Sequence, residues 1–477
     1  MTDAEAVQVL SQEGSEIEKV KEERPYYFQL DVLKAIAIVF VVMDHSLTWA
    51  VKGDIGSLFW ERLSIPFFLI VMGFNAGMSF KYRNGKDLRS MYSRDYFKRK
   101  IVRYVFPFLV LYMISILLGF YFGYLNVNEY LLLGYLPFWG PGNWFIPLLF
   151  GSIVVLPVVY WFFKRDPILT MIMCFLSEIE LQLIMYVWFP YPIESALEGF
   201  IVSAIRVNVL FFLPAIALGM WFSEGHDLFD RRNWFVFIYA AMSVIFMLDY
   251  TTHILQNMTG SVGGTFTFID ALIRGDYTFL FYGYAALIVL IVMKLVPAQP
   301  KGKIELFIQK IGKASYHILL FQILWMSIVY WNTSHEATYM HEIPEFATIY
   351  GWTTPLLYIP FYLINLTISL IGGLLWYNAE RKVNASGKPW WQHVWMRRFV
   401  LIFGAIMSFP LMGVLMTIVS ELSGLTAWQR NHGPYFILNE YTGPGFMANF
   451  IVILFCIGLS MAFLYKAFTT DDEVIPI

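Results

Sequence analysis

Runs of about 20 mostly apolar residues, the length a helix needs to cross hydrocarbon, begin near Tyr27, Leu58, Ile101, Trp144, Ile168, Ser203, Trp234, Thr278, Ala314, Tyr350, Phe399 and Met447. They predict an all-α fold, a polytopic membrane bundle of about twelve transmembrane helices. The polar positions between the runs give its orientation. The segment "KYRNGKDLRSMYSRDYFKRK" from Lys81, Lys164 with Arg165, Arg231 with Arg232, Lys301 with Lys303, and Arg381 with Lys382 fall on alternate connections. Lys and Arg concentrate on the cytosolic side of a membrane protein. Both termini are therefore expected in the cytosol, with 124–142, 189–202, 255–277, 332–349 and 419–446 outside. Several outer segments ("YLPFWGPGNWF", "VWFPYPIE", "NHGPYFILNEYTGPG") hold Trp, Tyr, Pro and Gly, which suits interfacial anchors and equally a binding surface.

The composition fits that picture: 58% hydrophobic and 14% charged residues describe a chain whose solvent is largely lipid. A formal net charge of −2 offers no bulk attraction to nucleic acid. The two cysteines, Cys174 and Cys456, lie in apolar runs and suggest neither a disulfide framework nor a cysteine metal site. The first 24 residues lack the apolar core of a signal peptide and read as a cytosolic tail. "HEATYMHE" from His335 places its histidines six apart, whereas a zinc helix wants them at i and i+4, so no metal site is expected. Sequons at Asn257 and Asn332 fall on outer segments, and one at Asn365 falls inside a predicted span. No Walker loop, dinucleotide fingerprint or nucleophile elbow is present. No internal repeat is visible, which disfavours transporter folds built from inverted repeats.

The first run, "LDVLKAIAIVFVVMDHS" from Leu30, carries ionisable residues where a span should have none. Lys34 and His45 are eleven positions apart; at 100° per residue they share nearly one face, roughly 16 Å apart along the axis. Asp31 joins that face. Asp44 is turned about 100° from His45 and is expected to be a poor partner for it within the helix. Asp31 and Lys34 at i, i+3 also fit a plain ion pair, and Lys34 can snorkel to the headgroups. His45 is too compact for that, and a buried imidazole needs a partner. Intramembrane ionisable groups point to function, so the stripe is read in two ways: His45 as a general base, or Asp31, Lys34, Asp44 and His45 as the proton or ion relay of a transporter or flippase.

This stretch resembles the first span of the acyltransferase 3 family of membrane acyltransferases, whose signature is a basic residue, ten residues and a histidine. "SIPFFLIVMGFNAG" from Ser64, "YFKRKIVRYVFPF" from Tyr96, "GNWFIPLLF" from Gly142, "FFLPAIALGMWF" from Phe211, "IGKASYHILLFQ" from Ile311 and "ISLIGGLLWYNAERKV" from Ile368 resemble later family elements, in family order. The likeness divides the chain into a cytosolic tail (1–26), an acyltransferase-3-like membrane domain (27–383) with a ten-helix core, an extension of about two more helices (384–470) and a second cytosolic tail (471–477). Departures are Lys34 where the family has arginine, Gln322 where many members have histidine, His317 after Tyr316, and no glutamate after Trp144-Phe145.

The resemblance implies an enzyme, an acyltransferase of the plasma membrane, moving an acetyl-like group from cytosolic acyl-coenzyme A to a hydroxyl or amine of an envelope glycan, glycolipid or lipid. Acyl-CoA would be a co-substrate, with no bound cofactor and no metal; the partners would be membrane lipid and a carbohydrate or glycolipid acceptor, not nucleic acid. His45, Asp44 and Lys34 are the candidate catalytic residues, His45 as base. Lys34, Arg99, Lys100 and Arg103 are the candidate donor site, although the same cations also suit chain orientation or anionic lipid. Asp31, Trp144, Arg206, Asn208, Tyr316 and Gln322 are the candidate chamber. The transporter reading differs in predicting gradient coupling and no covalent change; a silent envelope protein is the third reading.

Overall fold

The predicted apolar runs fall on helices, the one from Ser203 being broken over two. The computed structural model describes residues 24–47, 52, 55–82, 87–123, 134–138, 140–189, 196–252, 278–333, 355–385, 394–422 and 444–469. The main helices are α1 (Phe28–Ser46), α2 (Ser64–Lys81), α3 (Arg94–Lys100), α4 (Phe106–Tyr121), α5 (Phe145–Arg165), α6 (Pro167–Trp188), α7 (Ala196–Arg206), α8 (Leu213–Glu224), α9 (Phe235–Thr252), α10 (Phe279–Leu295), α11 (Lys303–Thr333), α12 (Pro355–Ala385), α13 (Val394–Leu422) and α14 (Pro444–Thr469). No strand occurs among the described residues. Six of their helices are long and apolar enough to cross a membrane, or seven if α7 and α8, bent by 43° at a short break, form one span. α1 has the length, but it carries three charged residues, Asp31, Lys34 and Asp44.

The helix ends follow from local chemistry. Asp166 accepts a hydrogen bond from Leu169 N at 3.0 Å, and Pro167 takes the first helical position of α6, so α5 reverses into α6 in a single residue. Ser93 caps α3 in the same way. At the start of α10 the cap comes from elsewhere: Phe279 N donates at 2.7 Å to Oε1 of the buried Glu178 on α6. A helix N-terminus in hydrocarbon has no water for its free N–H groups, and a carboxylate supplies the acceptor.

α2 and α8 form the centre, with α1 and α10 packed on them and α11 on α1. Small residues let α2 and α8 approach closely: a Cβ built on Gly219 would lie 1.9 Å from Ile70 O, and one on Gly73 1.9 Å from Ile216 O. In lipid, such small-residue contacts are a principal means of helix association, because burial of apolar surface no longer drives it. α13 and α14 pair with each other and reach the rest through α4, where Phe403 meets Tyr112 edge-on at 5.5 Å and Phe399 packs on Phe106. Both cysteines are free and buried.

Candidate active site

The cationic connections converge on one end of the bundle, the basic face, and a cavity of about 380 Å³ opens there among α1, α2, α3, α5 and α11. Lys34, Arg99, Lys100, Arg103 and Tyr316 all line it. A π-helical turn at Ile101–Val105 joins α3 to α4 beside the cavity, a distortion that recurs at functional sites. The cations are set on aromatic faces: Lys100 Nζ lies 5.3 Å from the Tyr104 ring centre and Arg103 Cζ 5.4 Å. Tyr316 fixes that turn by donating to Tyr104 O at 2.7 Å. Deeper in, Lys34 Nζ pairs with Asp31 Oδ1 at 2.6 Å, and Tyr26 donates to Asp31 Oδ2 while accepting from Gln309 at 2.8 Å. Lys34 is thus both the ion-pair partner expected at i, i+3 and a wall of the cavity. Arg24, Asn75, Ser79 and Tyr104 line it too and were not anticipated. Asn75 and Ser79, polar at i, i+4 within an apolar span, were the legible signal; Arg24 was hidden in what read as a tail, yet it donates to Asn75 Oδ1.

The cavity wall ends on α11 at Leu319, about one helical turn below Gln322. Gln322 is fully buried, and its Nε2 lies 2.9 Å from His45 Nδ1. With the amide donating, Nδ1 holds the ring's lone pair and Nε2 the proton. Asp44 Oδ2 stands 3.6 Å from Nε2. Asp44 was expected to be a poor partner for His45 within the helix, and 3.6 Å is too long for a hydrogen bond. Both residues lie in the last turn of α1, and their contact becomes an ion pair only when the ring is protonated. Asp44 also pairs with Lys52.

Gly142, at φ 86°, passes close to this pair: a Cβ there would lie 3.4 Å from His45 Cε1 and 3.9 Å from Gln322 Oε1. The left-handed backbone and the near approach both favour glycine. Asn143 anchors the loop, accepting from Leu136 N at 2.9 Å and donating to Leu136 O at 3.3 Å. Gln322 Oε1 is buried and has no hydrogen-bond partner, so an unsatisfied acceptor sits beside the imidazole. Asn365, the intramembrane sequon residue, is buried and bridges Trp325 Nε1 (2.9 Å) to Ser46 Oγ (3.2 Å).

Three chamber candidates lie apart from this line. Trp144 stacks on Phe212 with ring centres 5.6 Å apart. Arg206 is exposed at the end of α7. Asn208 caps the turn Val209–Phe212, accepting from Leu210 N at 3.0 Å. His317, the family departure, pairs with Glu380 Oε2 at 2.6 Å between the rings of Trp376 and Tyr377 and so ties α11 to α12. Among the described residues no group of three or more His, Cys, Asp or Glu side chains is placed to hold a metal. The motif from His335 and the sequon at Asn257 lie outside the described residues.

A helical bundle with a cation-lined cavity on one face, ending one turn below a buried glutamine that contacts a partly exposed histidine, defines an integral membrane protein with a polar site inside its helices. The chain belongs to the acyltransferase 3 family: that family's acyltransferase domain matches residues 27–374. No curated protein and no solved structure matches it. By family it is a membrane acyltransferase.

Proposed function

We propose that the protein transfers an acetyl-like acyl group from acyl-coenzyme A, bound at the basic face, to a hydroxyl or amine of an envelope glycan, glycolipid or lipid. The carrying observation is the gathering of five cations, Arg24, Lys34, Arg99, Lys100 and Arg103, in one cavity with Gln322 and His45 beyond its end. In this reading about twelve helices cross the plasma membrane, both termini are cytosolic, and the basic face takes the polyphosphate of coenzyme A from the cytosol. The pantetheine and thioester run past Lys34 toward His45. The acceptor hydroxyl takes the place of the Gln322 amide at His45 Nδ1 and gives its proton there as its oxygen attacks the thioester carbonyl. The C–S bond breaks, and the proton passes from His45 to the departing sulfur, yielding acylated acceptor and free coenzyme A. Asp44, facing Nε2–H, stabilises the imidazolium formed in between.

The arrangement of α1 favours this over a relay. Asp31 and Lys34 neutralise each other at one end, Asp44 and Lys52 at the other, and residues 35–43 between them are all apolar. No side chain of that stretch can carry a proton.

The donor site has its own test. Arg103→Gln and Lys100→Gln are expected to raise KM for acyl-CoA about three- to tenfold each, the loss of a partly screened charge-assisted contact, with kcat within about twofold. Initial rates of thiol release over a range of donor concentrations give the split. An unchanged KM in both variants would remove the cavity from the donor path.

A further inference from the structure

On the flank away from the candidate active site, α6 and α9 are separated by an apolar groove of about 600 Å³. Its floor on α6 is Ile168, Met171, Ile172, Phe175 and Leu176, the i, i+3, i+4, i+7, i+8 pattern of one helix face. Such a stripe ordinarily packs on a neighbouring helix. Here Ile168, Ile172 and Leu176 are 63%, 50% and 40% exposed. The opposite wall is Phe235 and Tyr239 of α9. From Ile168 to Leu176 the groove runs about 12 Å along the helix axis, against about 15 Å for one leaflet of a bilayer's hydrocarbon.

One end is charged. Arg232, in the turn between α8 and α9 on the basic face, lines the groove beside Trp221. Its guanidinium lies over the Trp221 ring at 4.4 Å and donates through Nη2 to Trp221 O at 3.2 Å. Its Nε is buried and has no hydrogen-bond partner. The nearby Asp230 is turned into its own loop, where Oδ1 accepts from Arg232 N at 3.1 Å. A buried, unpaired donor on a cation at the end of an apolar trough calls for an anionic acceptor that carries a hydrocarbon tail.

We infer that this groove binds one anionic phospholipid, with an acyl chain along α6 and the headgroup phosphate on Arg232. The occupant's charge is set by Arg232 and its shape by a trough one leaflet deep. The site shares none of its lining with the cavity that holds Lys34 and Arg103, and the inference does not depend on the acyltransferase reading.

The test uses the full-length protein in mixed micelles with phosphatidylglycerol or phosphatidylcholine, followed by native mass spectrometry and thermal unfolding. The parent is expected to retain phosphatidylglycerol in preference to phosphatidylcholine and to unfold at a higher temperature in its presence. Arg232→Gln should weaken phosphatidylglycerol retention about tenfold, as expected for one charge-assisted contact, and leave phosphatidylcholine as it was. Ile172→Trp, which fills the groove from an exposed position, should lower retention of phosphatidylglycerol even if Arg232→Gln fails to fold. Arg381→Gln, an exposed cation on α12, should behave as the parent. Equal retention of the two lipids by the parent, or parental retention of phosphatidylglycerol by Ile172→Trp or by a folded Arg232→Gln, overturns the site; so does equal stabilisation by free inorganic phosphate.

Discussion

His45→Ala is expected to lose acyl transfer by about 10²- to 10⁴-fold, the range general base catalysis contributes, while the protein remains folded. The ring is partly exposed, and its polar contacts include those to Gln322 and Asp44. Removing it leaves α1 held by Leu33, Ile38 and Val42, all fully buried. His45→Gln separates chemistry from structure, because a glutamine can still hydrogen-bond the Gln322 amide and cannot take a proton near neutrality. It should be as inactive as the alanine variant and closer to the parent in thermal stability. Rates are read as thiol release from acyl-CoA, and folding as the unfolding transition in detergent. A His45→Gln protein that turns over at the parental rate would eliminate His45 as the base.

The largest structural effect is expected at Gly219. Valine there places a Cβ 1.9 Å from Ile70 O and 2.7 Å from Phe74 N, backbone atoms that a rotamer change cannot move aside. The α2–α8 contact has to open, and with it the packing of α1 and α10 on α2. Overpacking typically costs about 1–3 kcal/mol, and a clash with backbone that cannot move aside belongs in the tail above about 4 kcal/mol. Gly219→Val is expected to yield no monodisperse protein. Gly458→Ala on α14, with nothing within 4 Å of its added Cβ, is the control; it should be neutral or slightly stabilising, since alanine is the better helix former. A Gly219→Val protein that elutes and melts like the parent would contradict the tight α2–α8 packing.

The two effects bear on different levels of what could be read from residues alone. The helical runs were legible because a bilayer leaves helices as the only open-ended way to satisfy backbone groups, so hydropathy and secondary structure coincide. Lys34 and His45 stood out because charges are rare in spans, and Arg99, Lys100 and Arg103 because cations cluster on one face. Their convergence on one cavity was beyond periodicity, since it depends on how α1, α3 and α11 pack. Gln322 as the direct partner of His45 joins positions 277 apart, and no local pattern reports such a contact. Asp44, a step of about 100° from His45 along the helix, approaches it to 3.6 Å, too far for a hydrogen bond. Arg206 and Asn208 are polar inside an apolar run because the helix breaks there, and Asn208 serves as the cap of that break. The role of Glu178 is not legible locally, because its partner, the N-terminus of α10, is 101 residues away.

The most direct test of the account is acyl transfer itself. Purified protein in liposomes, with the basic face reached by labelled acetyl-coenzyme A and an envelope glycolipid extract supplied in the bilayer, should release free thiol and place the label on an acceptor, and His45→Gln should do neither. Absence of both turnover and binding for acetyl, succinyl and longer acyl donors, in protein that unfolds cooperatively, would contradict the acyltransferase reading and return the α1 stripe to a transport role.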